Sequence, residues 1–202
     1  MIDSQTKPRD WGESGALFVC AVLFFGLQDR YTLGPPVMTL VIGSLIAATF
    51  LFSVYWTIVG NRRAMRIVMT LGAFILGVGV GLCAYEIVYL VIYHAAKIDG
   101  IRLIQTALLI WVGNVVVFAI IYHWIGEREF AFPRPDPATL QQPLCFLDYI
   151  FLSFTTATAF SPTDTAPLST RVRMFMMVES VISLATIAIA AARAINVLPQ
   201  TG

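Results

Sequence analysis

The stretch Pro36–Val59, which reads PVMTLVIGSLIAATFLFSVYWTIV, decides the class of the protein because it contains no charged residue over its whole length. A helix of about 20 predominantly apolar residues crosses the hydrocarbon core of a bilayer, which is about 30 Å thick. Pro35 and Pro36 open the stretch, and the polar sequence Gly60-Asn61-Arg62-Arg63 closes it. We therefore predict a transmembrane helix over these residues.

Similar apolar stretches recur along the chain. Those that exceed the length of a membrane crossing are about Met65–Tyr93, Ile101–Trp124 and Val172–Leu198. A shorter one, about Gly12–Leu27, contains the run Ala16–Phe25, which resembles the apolar region of a signal peptide. No A-x-A cleavage site follows this run, and Asp10 and Glu13 interrupt the positively charged region before it. We interpret it as a retained first helix.

The composition indicates a lipid environment for most of the chain. Hydrophobic residues make up 58% of the 202 residues and charged residues 12%, with a mean hydropathy of +0.79. A soluble domain carries about 25% charged residues, so this chain has too few polar residues to cover its apolar surface in water. The net charge is +1 and no basic stripe is present, so nothing in the sequence favours nucleic acid as a partner, and we expect none. We predict an integral membrane protein.

The chain between the fourth and last helices has a different character. Glu127–Pro143 is a polar, proline-rich loop. The apolar segment Leu144–Phe160 follows, and as a helix it would reach roughly 25 Å, a little short of a full crossing. A non-helical loop at 161–170 leads to the last helix. We therefore predict an all-α, polytopic transmembrane helical bundle with five crossings plus a re-entrant helix, and six crossings as the alternative.

These segments form one membrane domain with two parts. Residues 1–100 are an N-terminal three-helix membrane segment. Residues 101–198 are a pore-like module, which consists of a helix at 101–124, a loop at 127–143, a short helix at 144–160, a loop at 161–170 and a helix at 172–198.

The stretch Asp148–Thr170, DYIFLSFTTATAFSPTDTAPLST, has the layout of a pore loop: a short helix that ends in Thr-Thr, an extended segment with an acidic residue, and then a crossing helix. The last hundred residues resemble the outer helix, pore helix and inner helix of the potassium-channel superfamily. Phe154-Thr155-Thr156-Ala157 matches the end of that family's pore helix. The whole chain also resembles a family of bacterial inner-membrane proteins with the same C-terminal pattern. The channel resemblance implies a tetramer.

The chain departs from that family in its filter. No glycine occurs between Gly126 and Gly202, whereas a potassium filter needs glycines in left-handed conformations so that successive carbonyls face the axis. Pro162 fixes its own φ angle. We predict a pore that is not potassium-selective, with a constriction formed by the side chains of Thr155, Thr156, Thr158, Ser161, Thr163 and Asp164. The alternative is a capped turn, in which the hydroxyls bond the local backbone.

Two acidic residues lie within predicted crossings, where an ionisable group costs several kcal/mol unless it is paired or hydrated. Glu86 lies midway along the third helix and Glu179 in the first half of the last one. Glu179 is expected to line an inner vestibule, and either residue is a candidate cation or proton site. The alternative for both is a hydrogen bond or ion pair inside the bundle.

The sequence contains none of the catalytic motifs that would indicate an enzyme. It contains no nucleophile elbow, zinc-protease motif, P-loop or dinucleotide fingerprint. His94 and His123 have no second ligand at metal-binding spacing. We expect no enzymatic activity, no metal and no cofactor.

The functional prediction is an oligomeric, pore-loop ion channel that conducts cations, with the lipid bilayer, inorganic ions and further copies of the chain as partners. The alternatives are a non-conducting structural or partner-binding membrane protein and a small proton-coupled transporter that uses Glu86 and Glu179. The cationic loop at Arg62, Arg63 and Arg66 and the N-terminal Lys7 and Arg9 predict a cytoplasmic N-terminus in a bacterial inner membrane. On this topology a re-entrant loop opens to the cytosol.

Overall fold

A computed structural model describes residues 12–26, 36–93, 100–133, 144–158 and 165–197. The described residues are mostly helical, which confirms the predicted class. The helices are α1 (Gly12–Gly26), α2 (Pro36–Val59), α3 (Arg62–Tyr93), α4 (Gly100–Ile125), α5 (Phe146–Ala157) and α6 (Thr170–Val197). A 3-10 turn, Glu127–Glu129, and two short strands, β1 (Phe130–Ala131) and β2 (Ala166–Pro167), complete the described elements.

Within the described ranges, four helices, α2, α3, α4 and α6, are long and apolar enough to cross a membrane. The helix bounds differ from the predicted ones by at most three residues. The largest shift at a helix start is in α3, which begins at Arg62 rather than Met65 because the Asn61 side chain accepts a hydrogen bond from the backbone N–H of Ala64 at 3.2 Å. This is the usual N-cap interaction. At its other flank, Gly60 ends α2 with a φ of 79°, in the left-handed region that glycine adopts without strain.

Helix α4 occupies the centre of the bundle and contacts α1, α3, α5 and α6. Of the residues in the most apolar stretch of α4, 67% are buried inside the chain, compared with 17% for the corresponding stretch of α6. Helix α3 packs tightly on α4, since a Cβ atom added to Gly113 would lie 2.5 Å from Cγ2 of Val80. Glycine at this position therefore allows the two backbones to approach each other closely.

The two strands connect the end of α4 to the beginning of α6. β1 and β2 are antiparallel, with Phe130 opposite Pro167 and Ala131 opposite Ala166. Beside them, the backbone N–H of Leu168 donates to the carbonyl of Glu129 at 2.9 Å. The C-terminal end of α4 and the N-terminal end of α6 therefore lie at the same end of the bundle, which we call the sheet end.

Candidate functional site

Helix α5 begins at the sheet end and lies along α4. Its 12 residues are about 18 Å long. At the sheet end, the rings of Phe146 and Tyr149 lie 5.7 Å and 5.0 Å from the ring of His123, near the end of α4. Further along α5, the Phe154 ring contacts the Trp111 ring at 5.5 Å. Because Trp111 lies about halfway along α4, α5 runs antiparallel to α4 and ends beside its middle.

The contacts with α6 place the end of α5 at the same depth. The hydroxyl of Ser180 donates to the carbonyl of Thr156 at 3.3 Å. Ser180 lies ten residues after Thr170, the first residue of α6, which corresponds to about 15 Å along the helix. The C-terminal end of α5 is thus beside the middle of both long helices.

Five buried polar side chains join α4, α5 and α6 between this depth and the sheet end, and we call them the polar cluster: Asn114, Tyr122, Ser153, Glu179 and Ser183. The Tyr122 hydroxyl donates to Oε2 of Glu179 at 2.5 Å, and Ser153 forms a hydrogen bond with Oε1. Asn114 Nδ2 donates to the hydroxyl of Ser183 at 2.8 Å and to the carbonyl of Glu179 at 3.2 Å. Each of the three helices therefore contributes a hydrogen-bonding side chain.

The proton count of the cluster identifies the form of Glu179 that fits it. Three oxygen–oxygen contacts need one proton each: Tyr122 with Glu179, Ser153 with Glu179, and Ser153 with the carbonyl of Val115 at 2.8 Å. The two hydroxyls supply two protons, and a neutral carboxylic acid supplies the third. The Glu179 carboxyl group is hydrogen-bonded to the hydroxyls of Tyr122 and Ser153, and a buried charge is costly unless a counter-charge accompanies it. The geometry matches a neutral Glu179.

The structure places Glu179 inside the bundle, fully buried and hydrogen-bonded. This corresponds to the hydrogen-bonded alternative for that residue, and the vestibule role stays a prediction. Its partners Tyr122 and Ser153 were not among the predicted site residues. A signal for the α6 side of the cluster was present, since Glu179 and Ser183 are four residues apart and thus share one helix face.

The threonines of the predicted constriction are placed at the end of α5. The hydroxyls of Thr155 and Thr156 donate to the carbonyl of Leu152 at 2.9 Å and 2.8 Å, and that of Thr158 donates to the carbonyl of Phe154 at 2.8 Å. Thr155 and Thr156 are buried. These three hydroxyls bond the backbone of their own helix, as Thr side chains commonly do.

The remaining predicted site residues, Ser161, Thr163 and Asp164, lie outside the described residues, as does the side chain of Glu86. Their predicted roles stay predictions. Within the described part of the chain, no group of three or more His, Cys, Asp or Glu residues could hold a metal ion.

Two cavities lie beside α4, and the residues that line them do not include the polar cluster. The first, which we call the polar cavity, has a volume of about 620 Å³ and lies at the sheet end between the end of α4 and β1, where it is lined by the 3-10 turn. The second, the apolar groove, has a volume of about 610 Å³ and lies between α3 and α4. Neither of these two is lined by Glu179 or by Thr155, Thr156 and Thr158.

No protein-family model, curated protein or solved structure matches the chain.

Proposed function

We propose that the protein is a pore-loop membrane protein that conducts cations without potassium selectivity, as a homo-oligomer in which α5 and the residues after it form a re-entrant segment. One observation carries the proposal. The pairing of β1 with β2 brings residues 131 and 166 together at the sheet end, while α5, which lies between them in the sequence, ends beside the middle of α4 and α6.

The length of the connecting chain is compatible with this path. Seven peptide units separate Thr158 from Thr165, and a fully extended chain of that length spans at most about 25 Å. The return from the end of α5 to the sheet end requires about 15–18 Å, the length of α5 itself. This geometry favours five crossings, α1, α2, α3, α4 and α6, over six. α1, with 15 residues, is short for a crossing.

The electrostatics of α5 favour a cation at its C-terminal end. The last carbonyls of a helix have no partner within the helix, and they carry a partial negative charge. Half-helices that end inside a membrane are a recurring way to coordinate ions there. Here that end is at Thr158, and the predicted contribution of Asp164 adds a carboxylate to the same segment.

The orientation follows from the arginines at the sheet end. Because α3 is antiparallel to α4, Arg63 at the beginning of α3 lies at the same end as Arg128 after α4 and Arg171 and Arg173 at the beginning of α6. Excess arginine and lysine mark the cytoplasmic side of a membrane protein. The sheet end is therefore cytoplasmic in this proposal, and the re-entrant segment opens to the cytosol.

The exposure of α6 supports an oligomer. The most apolar stretch of α6 is less buried than those of α2, α3 and α4. Large side chains on α6, such as Met177, Val181 and Leu184, are more than 60% exposed. A pathway on a symmetry axis would place part of this surface against other copies. The number of copies is taken from the resemblance alone, which implies four.

The test is cation flux through the full-length protein reconstituted in liposomes. We expect flux above that of protein-free vesicles, with Na⁺ and K⁺ conducted at rates within about threefold of each other, since the sequence offers no glycine-based carbonyl filter. Asp164→Asn is expected to lower cation flux about fivefold, which is what the loss of ~1 kcal/mol of charge attraction produces.

Asp148→Asn is the matched control for Asp164→Asn. Asp148 lies at the first turn of α5, where its side chain accepts a hydrogen bond from the backbone N–H of Cys145 at 2.8 Å. Asparagine keeps an acceptor there and makes the same change in charge, so flux should be unchanged. A folded protein without flux of either ion, or equal effects of the two variants, would contradict the proposal.

A second candidate function is a non-conducting structural membrane protein. The observation that favours it is that the hydroxyls of Thr155, Thr156 and Thr158 already bond the backbone of α5. In that case α5 is a packed half-helix, and the flux assay gives the background rate for every ion.

A further inference from the structure

The polar cavity and the apolar groove meet at one residue. Ile125, the last residue of α4, lines both. The polar cavity continues from it along the 3-10 turn and β1, and the apolar groove continues from it between α3 and α4. The two cavities are therefore neighbours: the one at the sheet end is lined in part by charged residues, and the one between α3 and α4 is apolar.

The apolar groove has the shape and lining for a hydrocarbon chain. On α4 it extends from Ile125 to Val117, eight residues or about 12 Å. Its opposite wall on α3 includes Phe74 and Gly77. A Cβ atom added to Gly77 would lie 3.8 Å from Cγ1 of Val117, an ordinary contact, so the missing side chain leaves space between the helices. Among the residues that line it, only Thr70 and Trp124 carry a polar side-chain atom.

Two arginines flank the polar end of the site. Arg128, in the 3-10 turn, lines the polar cavity and is exposed. Arg63 is also exposed, and it precedes Thr70 and Gly77 in the groove by seven and fourteen residues, which places all three on one face of α3. Gly77 is beside Val117 and Val80 is beside Gly113. In this antiparallel register Arg63 is level with the residues that follow Ile125.

Guanidinium groups are available to an anion at this end of the site. The cavity is lined by Arg128 together with the carboxylate of Glu127, and Arg63 adds a second guanidinium group at the same level of the bundle. Guanidinium groups bind phosphate oxygens in bidentate geometry. Trp124, which precedes the shared residue Ile125, lines the end of the groove nearest the sheet end. Indole rings are enriched at the boundary between lipid headgroups and hydrocarbon.

We infer that this site binds one anionic glycerophospholipid, with its phosphodiester against Arg63 and Arg128 and one acyl chain in the groove between α3 and α4. The inference goes beyond the proposed function and does not depend on it, since the polar cluster and the end of α5 line neither part of the site. A protein that conducts no ions would still bind the lipid.

The test measures lipid binding directly. Full-length protein is purified in detergent, depleted of lipid, and titrated with phosphatidylglycerol or phosphatidylcholine of identical acyl chains, and bound lipid is counted by native mass spectrometry. We expect one phosphatidylglycerol per chain, bound at least about fivefold more tightly than phosphatidylcholine. Replacing both arginines, Arg63→Gln with Arg128→Gln, should weaken phosphatidylglycerol roughly 25-fold, about fivefold for each charge.

The double variant Arg171→Gln with Arg173→Gln is its matched control. These two exposed arginines lie at the same end of the bundle but line neither the cavity nor the groove, so affinity should change by less than about twofold. Equal losses in the two double variants would mean a diffuse charge effect and would overturn the assignment. So would equal affinity for the two lipids, which is measured on the unchanged protein and needs no variant to fold.

A second pair of variants tests the acyl chain. Gly77→Leu fills the groove and should weaken both lipids. Gly81→Leu, one turn further along α3, adds a side chain where the Cβ atom meets nothing within 4 Å, and binding should be unchanged. Full competition by inorganic phosphate would identify an anion site rather than a lipid site. Loss of oligomers in Gly77→Leu with lipid affinity unchanged would identify a second copy as the occupant, and either result overturns the inference.

Discussion

Helices α1, α2 and α3 pack on one another mainly through apolar and small side chains, such as Leu17 beside Gly72, together with a 2.9 Å hydrogen bond between Ser53 and Ser14. Helices α4, α5 and α6 are joined instead by the polar cluster around Glu179. The proposed topology gives a physical reason for this difference. A helix that crosses the bilayer reaches the interface at both ends, whereas a helix that ends inside the bilayer reaches only one interface, so other contacts must set its depth.

Hydrogen bonds can fix the position of α5 along α4 and α6, because they are directional and depend on distance. Ser153, in the middle of α5, is bonded to α4 and α6 at once. Apolar packing alone would tolerate small shifts of the short helix along its neighbours. We therefore expect polar substitutions to matter most in the C-terminal part and small-residue substitutions to matter most where α3 meets α4.

The largest effect is expected from Glu179→Ala. It leaves the hydroxyls of Tyr122 and Ser153 without the carboxyl group and opens a cavity between three helices, which should lower the free energy of unfolding by about 3 kcal/mol. Unfolding of the purified protein in mixed detergent and dodecyl sulfate micelles measures this change.

Glu179→Gln is the control for that variant. The glutamine amide keeps an acceptor for Tyr122 and a donor for Ser153, as the neutral acid does, so stability should stay within about 1 kcal/mol of the unchanged protein. A loss as large as that of the alanine variant would show that the neutral acid is not the form present.

An intermediate effect is expected from Gly113→Ala, at the boundary between the two parts. The new methyl group would lie 2.5 Å from Cγ2 of Val80. Valine is stiff at χ1 and cannot move that atom cheaply, so we expect a loss of about 2 kcal/mol. The same substitution at Gly81, where the added atom meets nothing within 4 Å, should be neutral in the same unfolding assay. Equal stability of the two variants would contradict the close approach of α3 and α4.

The smallest effect is expected from Ser14→Ala in the N-terminal part. The variant loses the hydrogen bond to Ser53, while the Ser53 hydroxyl keeps its contact with the carbonyl of Phe50 at 2.8 Å. Hydrogen bonds between membrane helices contribute about 0.6 kcal/mol on average, and we expect a loss of that order. A loss comparable to that of Glu179→Ala would mean that the two parts of the bundle are held by the same kind of interaction.

Much of the helical architecture could be predicted from the sequence because the signal is local. α2 runs over Pro36–Val59, the range predicted for it, since proline opens the helix and glycine closes it. The predicted segment Leu144–Phe160 proves to be helical over Phe146–Ala157, and the bounds of the short helix differ because α5 ends with Thr158 as its C-cap.

Less of the candidate site than of the helical architecture could be predicted from the sequence. Glu179 could be identified because an acidic residue in an apolar helix is costly, but its partners Tyr122 and Ser153 lie 57 and 26 residues away. No periodic pattern connects residues at such separations. For Thr155, Thr156 and Thr158, the sequence left open whether the hydroxyls face a pathway or bond the local backbone, because a hydroxyl in either arrangement satisfies its hydrogen bond.

The sequence by itself determined that the chain has apolar helices of membrane-crossing length, and it placed their ends to within three residues. A helix in lipid must be apolar over its own length, whatever the other helices are. Each crossing can therefore be identified from its own stretch of sequence. Only the tertiary structure decided that the two ends of the segment containing α5 meet at the sheet end and that Glu179 is enclosed by three helices. Those outcomes depend on hydrogen bonds between distant residues, and several polar groups in the chain could have formed such bonds with different partners.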